Sequence, residues 1–409
     1  MSSRRVLLAS FGIAAGVTAL IVVLGVMGGL QDGYIESILQ ISSFHGRVVV
    51  PADKADQAAA LIRSLPGVSS AVICSEIHVV AIGPSGQTMT ILLRGLEPDS
   101  HAKDPSLVIA LGLPEKRQFP LPGKLVIGKE AATMLGLGPN SSLKLFGVRQ
   151  TESDGAIPVE ISVPFGQTFN SGYYEFDASM GFITLGTQES ETVFPQATRI
   201  LGIKFLDRYS DFRLQGSIES ALPPGSSEYS SWRVYNRSFF GALRTEKTIM
   251  MLLISLIFLV VGINIFHAMR RTIAAKKGDI AILKSCGARD IDIQRIFILD
   301  GFSIGLMGSL LGIGAGLGIS LNINFLANRF AAGLRLVAQL LSSLGIGGGV
   351  GEYGLFSPIN YYLDSIPVSI SAGEIGFIAL MAILSTTASA LLASKRVSEA
   401  RPSEVFRNE

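Results

Sequence analysis

The stretch Val6–Leu30, VLLASFGIAAGVTALIVVLGVMGGL, carries no charged side chain. The hydrocarbon core of a bilayer is roughly 30 Å thick, and about 20 apolar residues in a helix cross it. Three more uncharged runs lie far downstream, at Thr248–Ala268, Gly301–Ala327 and Ile375–Ser394. Each is long enough to span. Between the first two runs, 31–247 has ordinary soluble composition. The layout predicts one membrane helix, a large α+β extracytoplasmic domain, and then three further membrane helices. The 409-residue chain is 48% hydrophobic and 16% charged. A soluble protein carries about 25% charged residues, so the deficit fits four spans diluting a soluble domain.

Orientation follows from the basic residues of the short loops. Arg4 and Arg5 precede the first span, Arg270, Arg271, Lys276, Lys277, Lys284, Arg289 and Arg295 follow the second, and Lys395, Arg396, Arg401 and Arg407 follow the fourth. The connection between the third and fourth spans holds only Arg329 and Arg335, against Glu352, Asp364 and Glu374. The pattern predicts both termini in the cytoplasm. A cleaved signal is the rival reading of the first run, but its apolar core is longer than the usual roughly 7–15 residues and no A-x-A site follows. Net charge is +2, which gives no reason to expect a nucleic-acid partner. Cys74 and Cys286 fall on opposite sides of the membrane in this topology and cannot pair.

The expected divisions are 1–30 for the N-terminus and first span, 31–247 for the outer domain, 248–269 for the second span, 270–296 for a cytoplasmic loop, 297–327 for the third span, 328–373 for an outer loop, 374–395 for the fourth span and 396–409 for a cytoplasmic tail. In the outer domain, Ala55–Leu65 has helical periodicity and stops at Pro66-Gly67. Val68–Ile82 and Thr88–Arg94 read as a hairpin around Gly83-Pro84-Ser85-Gly86. Lys124–Gly128, Ser142–Phe146, Val159–Val163, Gly181–Leu185 and Arg199–Phe205 read as strands, and Lys129–Leu135 as a short helix. In Ser230–Lys247, Trp232, Tyr235, Phe239, Phe240 and Leu243 recur at helical spacing, which predicts an amphipathic helix at the outer surface running into the second span. Glycines four apart, at Gly12/Gly16, Gly25/Gly29 and along Gly301–Gly318, predict close helix packing, within the bundle or against a second subunit. Asn328–Ser371 includes an apolar helix-like part, Leu334–Leu344, and a glycine tract, Gly345–Gly351.

The usual chemistries do not present themselves. Gly123–Glu130 approaches a phosphate-binding loop, but that motif needs Ser or Thr after its Lys, and here the residue is Glu130. The four histidines are scattered without metal-ligand spacing, and no nucleophile elbow occurs. No metal or cofactor is expected on this chain. If it drives transport, the energy comes from another subunit.

The loop IAAKKGDIAILKSCGARDIDIQRIF, Ile273–Phe297, resembles the coupling region of the type VII ABC transporter permeases, the family of MacB, FtsX and LolC/LolE. The blocks GVTALIVVLGVMGGLQ, LVIGKEAATMLGL, NRSFFGALRTEKT, SIPVSIS and ARPSEVFRNE are most similar to the LolC/LolE branch. Two departures are the Asn140-Ser141 pair, where Gly-Asp is usual, and the long glycine-rich loop before Ser357. The resemblance implies a lipoprotein-releasing permease of the bacterial inner membrane. Its partners would be a LolD-like ATPase that holds ATP and Mg, a second permease copy or paralogue, acylated lipoprotein, membrane lipid and a LolA-like carrier. The rivals it implies are a MacB-like exporter and an FtsX-like regulator of cell-wall hydrolases.

The same resemblance supplies candidate residues. A short helix over Ala274–Lys284 would dock on the ATPase through Ile280, Ile282 and Leu283, oriented by Lys277, Asp279 and Lys284, with Gly287 in the same matching block. Acyl chains would meet Val23, Val26, Met27 and Leu30 of the first span, Leu253, Ile257 and Val261 of the second, and Tyr361 and Tyr362. A polar loop at Thr151–Pro158, with Thr151, Asp154 and Pro158, would take the carrier.

Overall fold

The computed structural model describes residues 3–114, 118–151, 155–194, 197–343 and 366–395. Helix α1 (Ser3–Ser37) passes through a π-helical stretch, Ile38–Ser43, into β1 (Gly46–Pro51) and α2 (Ala55–Arg63). Strands β2 (Val68–Ile82) and β3 (Thr88–Leu96) form a hairpin, followed by α3 (Ser100–Lys103), α4 (Pro105–Ala110), β4 (Leu125–Gly128) and α5 (Lys129–Met134). A second hairpin, β5 (Ser142–Thr151) and β6 (Gly155–Phe169), precedes α6 (Tyr174–Ser179), β7 (Met180–Thr184), α7 (Gln188–Val193) and β8 (Thr198–Phe205). Then come α8 (Asp211–Ala221), β9 (Ser230–Ser231) and α9 (Trp232–Tyr235). Five helices close the described chain: α10 (Arg237–Ala275), α11 (Lys277–Ser285), α12 (Asp290–Leu321), α13 (Ile323–Ser343) and α14 (Ala372–Ser394). Two compact units result, one holding α1 up to Asp32 with the described chain from Gly241 onward, the other running Gly33–Phe240.

In the first unit, α1, α10, α12 and α14 are each long and apolar enough to cross a membrane. They share one apolar core, with Ile13, Val17, Ile21 and Leu24 of α1 meeting Ile254 and Phe258 of α10, Ile304 of α12, and Ile378 and Ala382 of α14. The glycine face of α12 divides between two neighbours. A Cβ on Gly301 or Gly305 would strike α14 at Ala390 and Thr386, whereas one on Gly308, Gly312 or Gly316 would strike Ile13, Val17 or Ile21 of α1. Absence of a side chain lets the backbones approach, and interhelical hydrogen bonds follow. Thr18 Oγ1 donates to the Gly312 carbonyl at 3.1 Å, and on α14 Ser385 and Ser389 donate to the carbonyls of Phe258 and Gly262 at 2.6 and 2.7 Å. The tight packing expected of this face is therefore within the bundle. Gly12, Gly16, Gly314 and Gly318 lie on open faces. The third span ends earlier than expected. Helix α12 stops at Leu321, the backbone breaks at Asn322, and Ile323–Ala327 begins α13.

The second unit is built on one mixed sheet of order β3-β7-β4-β6-β5-β2-β8-β1-β9, in which β2 also pairs with β3. That extra ladder closes six strands into a ring. Strand β2 serves both parts because it is long: Val68–Cys74 pairs with β8, and Cys74–Ile82 with β3. Gly86, at φ +84°, makes the hairpin turn, with Gly83 N–H donating to the Gln87 carbonyl at 2.8 Å. The expected strands are all present, and α2 ends before Gly67, which takes φ +94°. The near-phosphate-loop is β4 running into α5, as a strand turning into a short helix. Gly128 is needed there because the Asp177 backbone occupies the space a Cβ would fill.

The segment Ser230–Lys247 is not one amphipathic surface helix. It breaks at Asn236, and Trp232 is buried with its Nε1 donating to the Arg208 carbonyl at 3.0 Å. Its indole packs edge-on against Phe240, and Phe239 packs on Tyr34, so these rings belong to a protein core. The run into the second span is as expected, since α10 continues unbroken from Arg237 to Ala275.

Candidate functional site: a short helix between spans and the apolar faces of the bundle

Helix α11 starts at Lys277, three residues later than the sequence suggests, because α10 persists to Ala275 and the break falls at Lys276. Its C-terminus is a Schellman turn. Gly287 N–H donates to the Lys284 carbonyl and Ala288 N–H to the Leu283 carbonyl, both at 3.0 Å, with Gly287 at φ +93°. This fixes the direction in which the chain enters α12.

The apolar residues of α11 point two ways. Ile280 and Ala281 are buried, with Ile280 packed on Met269, Ile273, Ile293, Phe297, Ala390 and Ala393. That contact anchors the helix to the end of the bundle, so Ile280 is not available to a partner, contrary to expectation. Ile282 and Leu283 stand out at 54% and 45% exposure. Lys284 Nζ meets Asp290 at 2.8 Å and Lys276 Nζ meets Asp279 at 3.4 Å, so the charges brace the loop. The result is a short helix with two uncovered aliphatic side chains.

At the other end of the bundle, Gln31 donates to Glu246 at 3.0 Å and Lys247 meets Glu374 at 2.7 Å. Val23, Leu30, Leu253 and Ile257 are exposed, Val26 and Met27 are half-buried, and Val261 packs on the shared core. On α10 the buried residues Ile254, Phe258 and Gly262 form one stripe, while Ile249, Leu252, Leu256, Leu259, Val260 and Ile263 are uncovered. In water such a surface would be untenable, but against acyl chains it is matched. Tyr361 and Tyr362 lie outside the described residues.

The Thr151–Pro158 segment differs from expectation. Thr151 pairs with Gly155 and Pro158 with Val148 in the β5–β6 ladder, so both are in strands. The rest of the candidate carrier loop, 152–154 with its Asp154, lies outside the described residues.

The C-terminal part of the chain, 251–402, matches the FtsX-like permease C-terminal family. Across 97% of this chain and 92% of its own length, the lipoprotein-releasing system transmembrane protein LolC of Xylella fastidiosa is 26% identical. The protein of the same name from Haemophilus influenzae is 28% identical over 82% of this chain and 88% of its own length. A macrolide export ATP-binding/permease protein, MacB of Burkholderia thailandensis, is 24% identical over 83% of this chain and 54% of its own length.

The chain is similar to the LolC permeases over nearly its whole length.

One feature of this chain is not legible in its sequence. In the π-helical stretch that follows α1, backbone carbonyls are held by buried cations of the sheet. Arg94, fully buried, donates to the carbonyls of Ile41 and Ser42, and its Nε and Nη2 donate to Glu76 at 2.9 and 2.6 Å. Arg47 reaches the other Glu76 oxygen at 2.8 Å. Lys204 Nζ donates to the Gln40 carbonyl at 3.1 Å and pairs with buried Asp104 at 2.7 Å. Burial alone would raise the Glu76 carboxyl pKa, but Arg94 and then Arg47 more than offset it, leaving it below the usual carboxylate value. The sequence signal was faint: polar residues interrupting β2, a strand otherwise apolar enough for a core.

Proposed function

We propose that this chain is the permease subunit of an ABC transporter that extracts acylated lipoproteins from the inner membrane and passes them to a LolA-like periplasmic carrier. The observation that carries the reading is the alignment with LolC proteins over nearly the whole length of both chains, on a layout of one span, an outer domain and three spans. ATP and Mg would be held by a separate LolD-like ATPase, in two copies, with a second permease beside this one. The termini and α11 would face the cytoplasm, consistent with the basic residues around α11. Ile282 and Leu283 would enter a groove of the ATPase, and Lys277, Asp279 and Lys284 would orient the helix. The exposed residues of α1 and α10, with Tyr361 and Tyr362, would face the lipid anchor. Each buried CH₂ contributes about 0.8 kcal/mol of membrane anchorage, so extraction of acyl chains requires coupled hydrolysis.

The test is the double variant Ile282→Glu/Leu283→Glu in the reconstituted complex. It should hydrolyse ATP without releasing lipoprotein while still inserting. Release at the wild-type rate would overturn the assignment. A photo-crosslinker at Met27 should capture lipoprotein before ATP is added and lose it afterwards. The similarity to MacB keeps export of a peptide or small molecule as the second reading. Capture of such a substrate, with no lipoprotein at Met27, would favour it.

A further inference from the structure

Helix α13 is not among the four candidate spans, yet its outward face is apolar. It begins one residue after α12 ends, at a break capped by Asn322, whose side chain donates to the Gly318 carbonyl at 2.9 Å. Its first turn is tied down. Asn324 donates to the Ile366 carbonyl at 3.2 Å and accepts from the Ile366 N–H at 2.8 Å. The segment beginning at Ile366 lies along α1, where Ser369 N–H donates to the Gly25 carbonyl at 2.9 Å and the Ser369 carbonyl would stand 2.8 Å from a Cβ on Gly28. Four residues after Ile370, Glu374 forms its ion pair with Lys247. The start of α13 is therefore held level with the ends of three membrane helices.

From there the sequence is amphipathic. Ile323, Leu326, Phe330, Leu334, Val337 and Leu341 recur at intervals of three and four, one face of a helix. Leu326 and Phe330 are exposed, at 42% and 64%, with no other described part of the chain over them. Asn324 and Asn328 fall away from that face. Arg329 stands on the flank, its guanidinium 5.2 Å from the centroid of the Phe325 ring. A long cationic side chain there can lay its stem along apolar surface and put its charge among phosphates. The two arginines and three amides argue against a fifth span.

We propose that α13 lies in the bilayer interface, with its Ile323–Leu326–Phe330 face among the acyl chains and Arg329 at the phosphate level of the leaflet on that side. The occupant of the exposed face is phospholipid. The uncovered surface is continuous with that of the spans, because α13 starts where α12 leaves the bilayer. An interfacial helix pinned to α1 through Asn324 and the Ile366–Ile370 segment would hold the outer end of α1 at a fixed depth. This placement does not rest on which substrate is transported.

Tryptophan quenching tests it. The full-length chain, with the signal of Trp232 subtracted, is reconstituted in vesicles of phosphatidylethanolamine and phosphatidylglycerol with brominated acyl chains. Leu326→Trp and Phe330→Trp should be quenched by bromine at least twofold more than Asn328→Trp and Ala332→Trp. Aqueous iodide should rank the four positions in reverse. Both apolar-face variants are conservative, so loss of fold in one leaves the other. Equal quenching at all four positions would overturn the proposal. So would shielding of residues 326 and 330 from both quenchers with a disulfide dimer at Phe330→Cys, which would show a second copy on the face instead.

Discussion

Replacing Arg94 by Met tests the buried clamp at the end of α1. The guanidinium makes two donations to Glu76 and one each to the carbonyls of Ile41 and Ser42, without solvent access. Met fills the volume and supplies no donor. Two carbonyls lose their partner, and Glu76 keeps only Arg47. Breaking a buried ion pair from one side costs about 3–5 kcal/mol, since the remaining charge stays desolvated. We expect a loss in that range, a large part of a stability of roughly 5–15 kcal/mol. Glu76→Gln should cost a similar amount, by leaving Arg94 and Arg47 buried with a neutral acceptor. The double variant should fall well short of the sum, because both changes delete the same contact. The assay is denaturant unfolding of the full chain in detergent, with hydrogen exchange read over Ile38–Ser43. A loss below about 0.5 kcal/mol for Arg94→Met, or unchanged exchange there, would refute the reasoning.

The same clamp sets a pH dependence. The Glu76 carboxyl is held below its ordinary value in the fold, so its stabilisation is full above pH 4.5 and falls as pH drops through the folded pKa. Unfolding midpoints should decline on acidification in the native chain and far less in Glu76→Gln. On α12, Gly312→Leu should push α1 away by colliding with its Val17 and cost about 1–3 kcal/mol, while Gly314→Leu, facing open space, should be near neutral in the same thermal scan. Ile280→Glu should destabilise the bundle by placing a charge in its apolar end, whereas Ile282→Glu should leave the melting temperature unchanged. Removing 152–154 should abolish carrier pull-down and spare ATPase binding, and retained pull-down would remove that segment from the carrier site.

The sequence by itself determined the spans, the strands of the outer unit and the place of α11. Each is written in local patterns: uncharged runs, alternation, and stop signals such as Pro66-Gly67. The LolC/LolE relationship was legible for the same reason, as short blocks in a fixed order. Tertiary structure alone decided what faces what. Ile280 and Ile282 are equally apolar in sequence, yet one closes the bundle and the other is uncovered, because helical geometry points them apart around a core supplied by α10, α12 and α14. Trp232 reads as an interfacial anchor until Arg208 and Phe240 are seen around it. The glycines of α12 divide between α14 and α1 by position along the helix, which spacing cannot express. Arg94 and Glu76 face each other across the β2–β3 hairpin, but Lys204 comes from the distant strand β8. Only the closed sheet brings their charges to the end of α1, where burial makes each indispensable to the others.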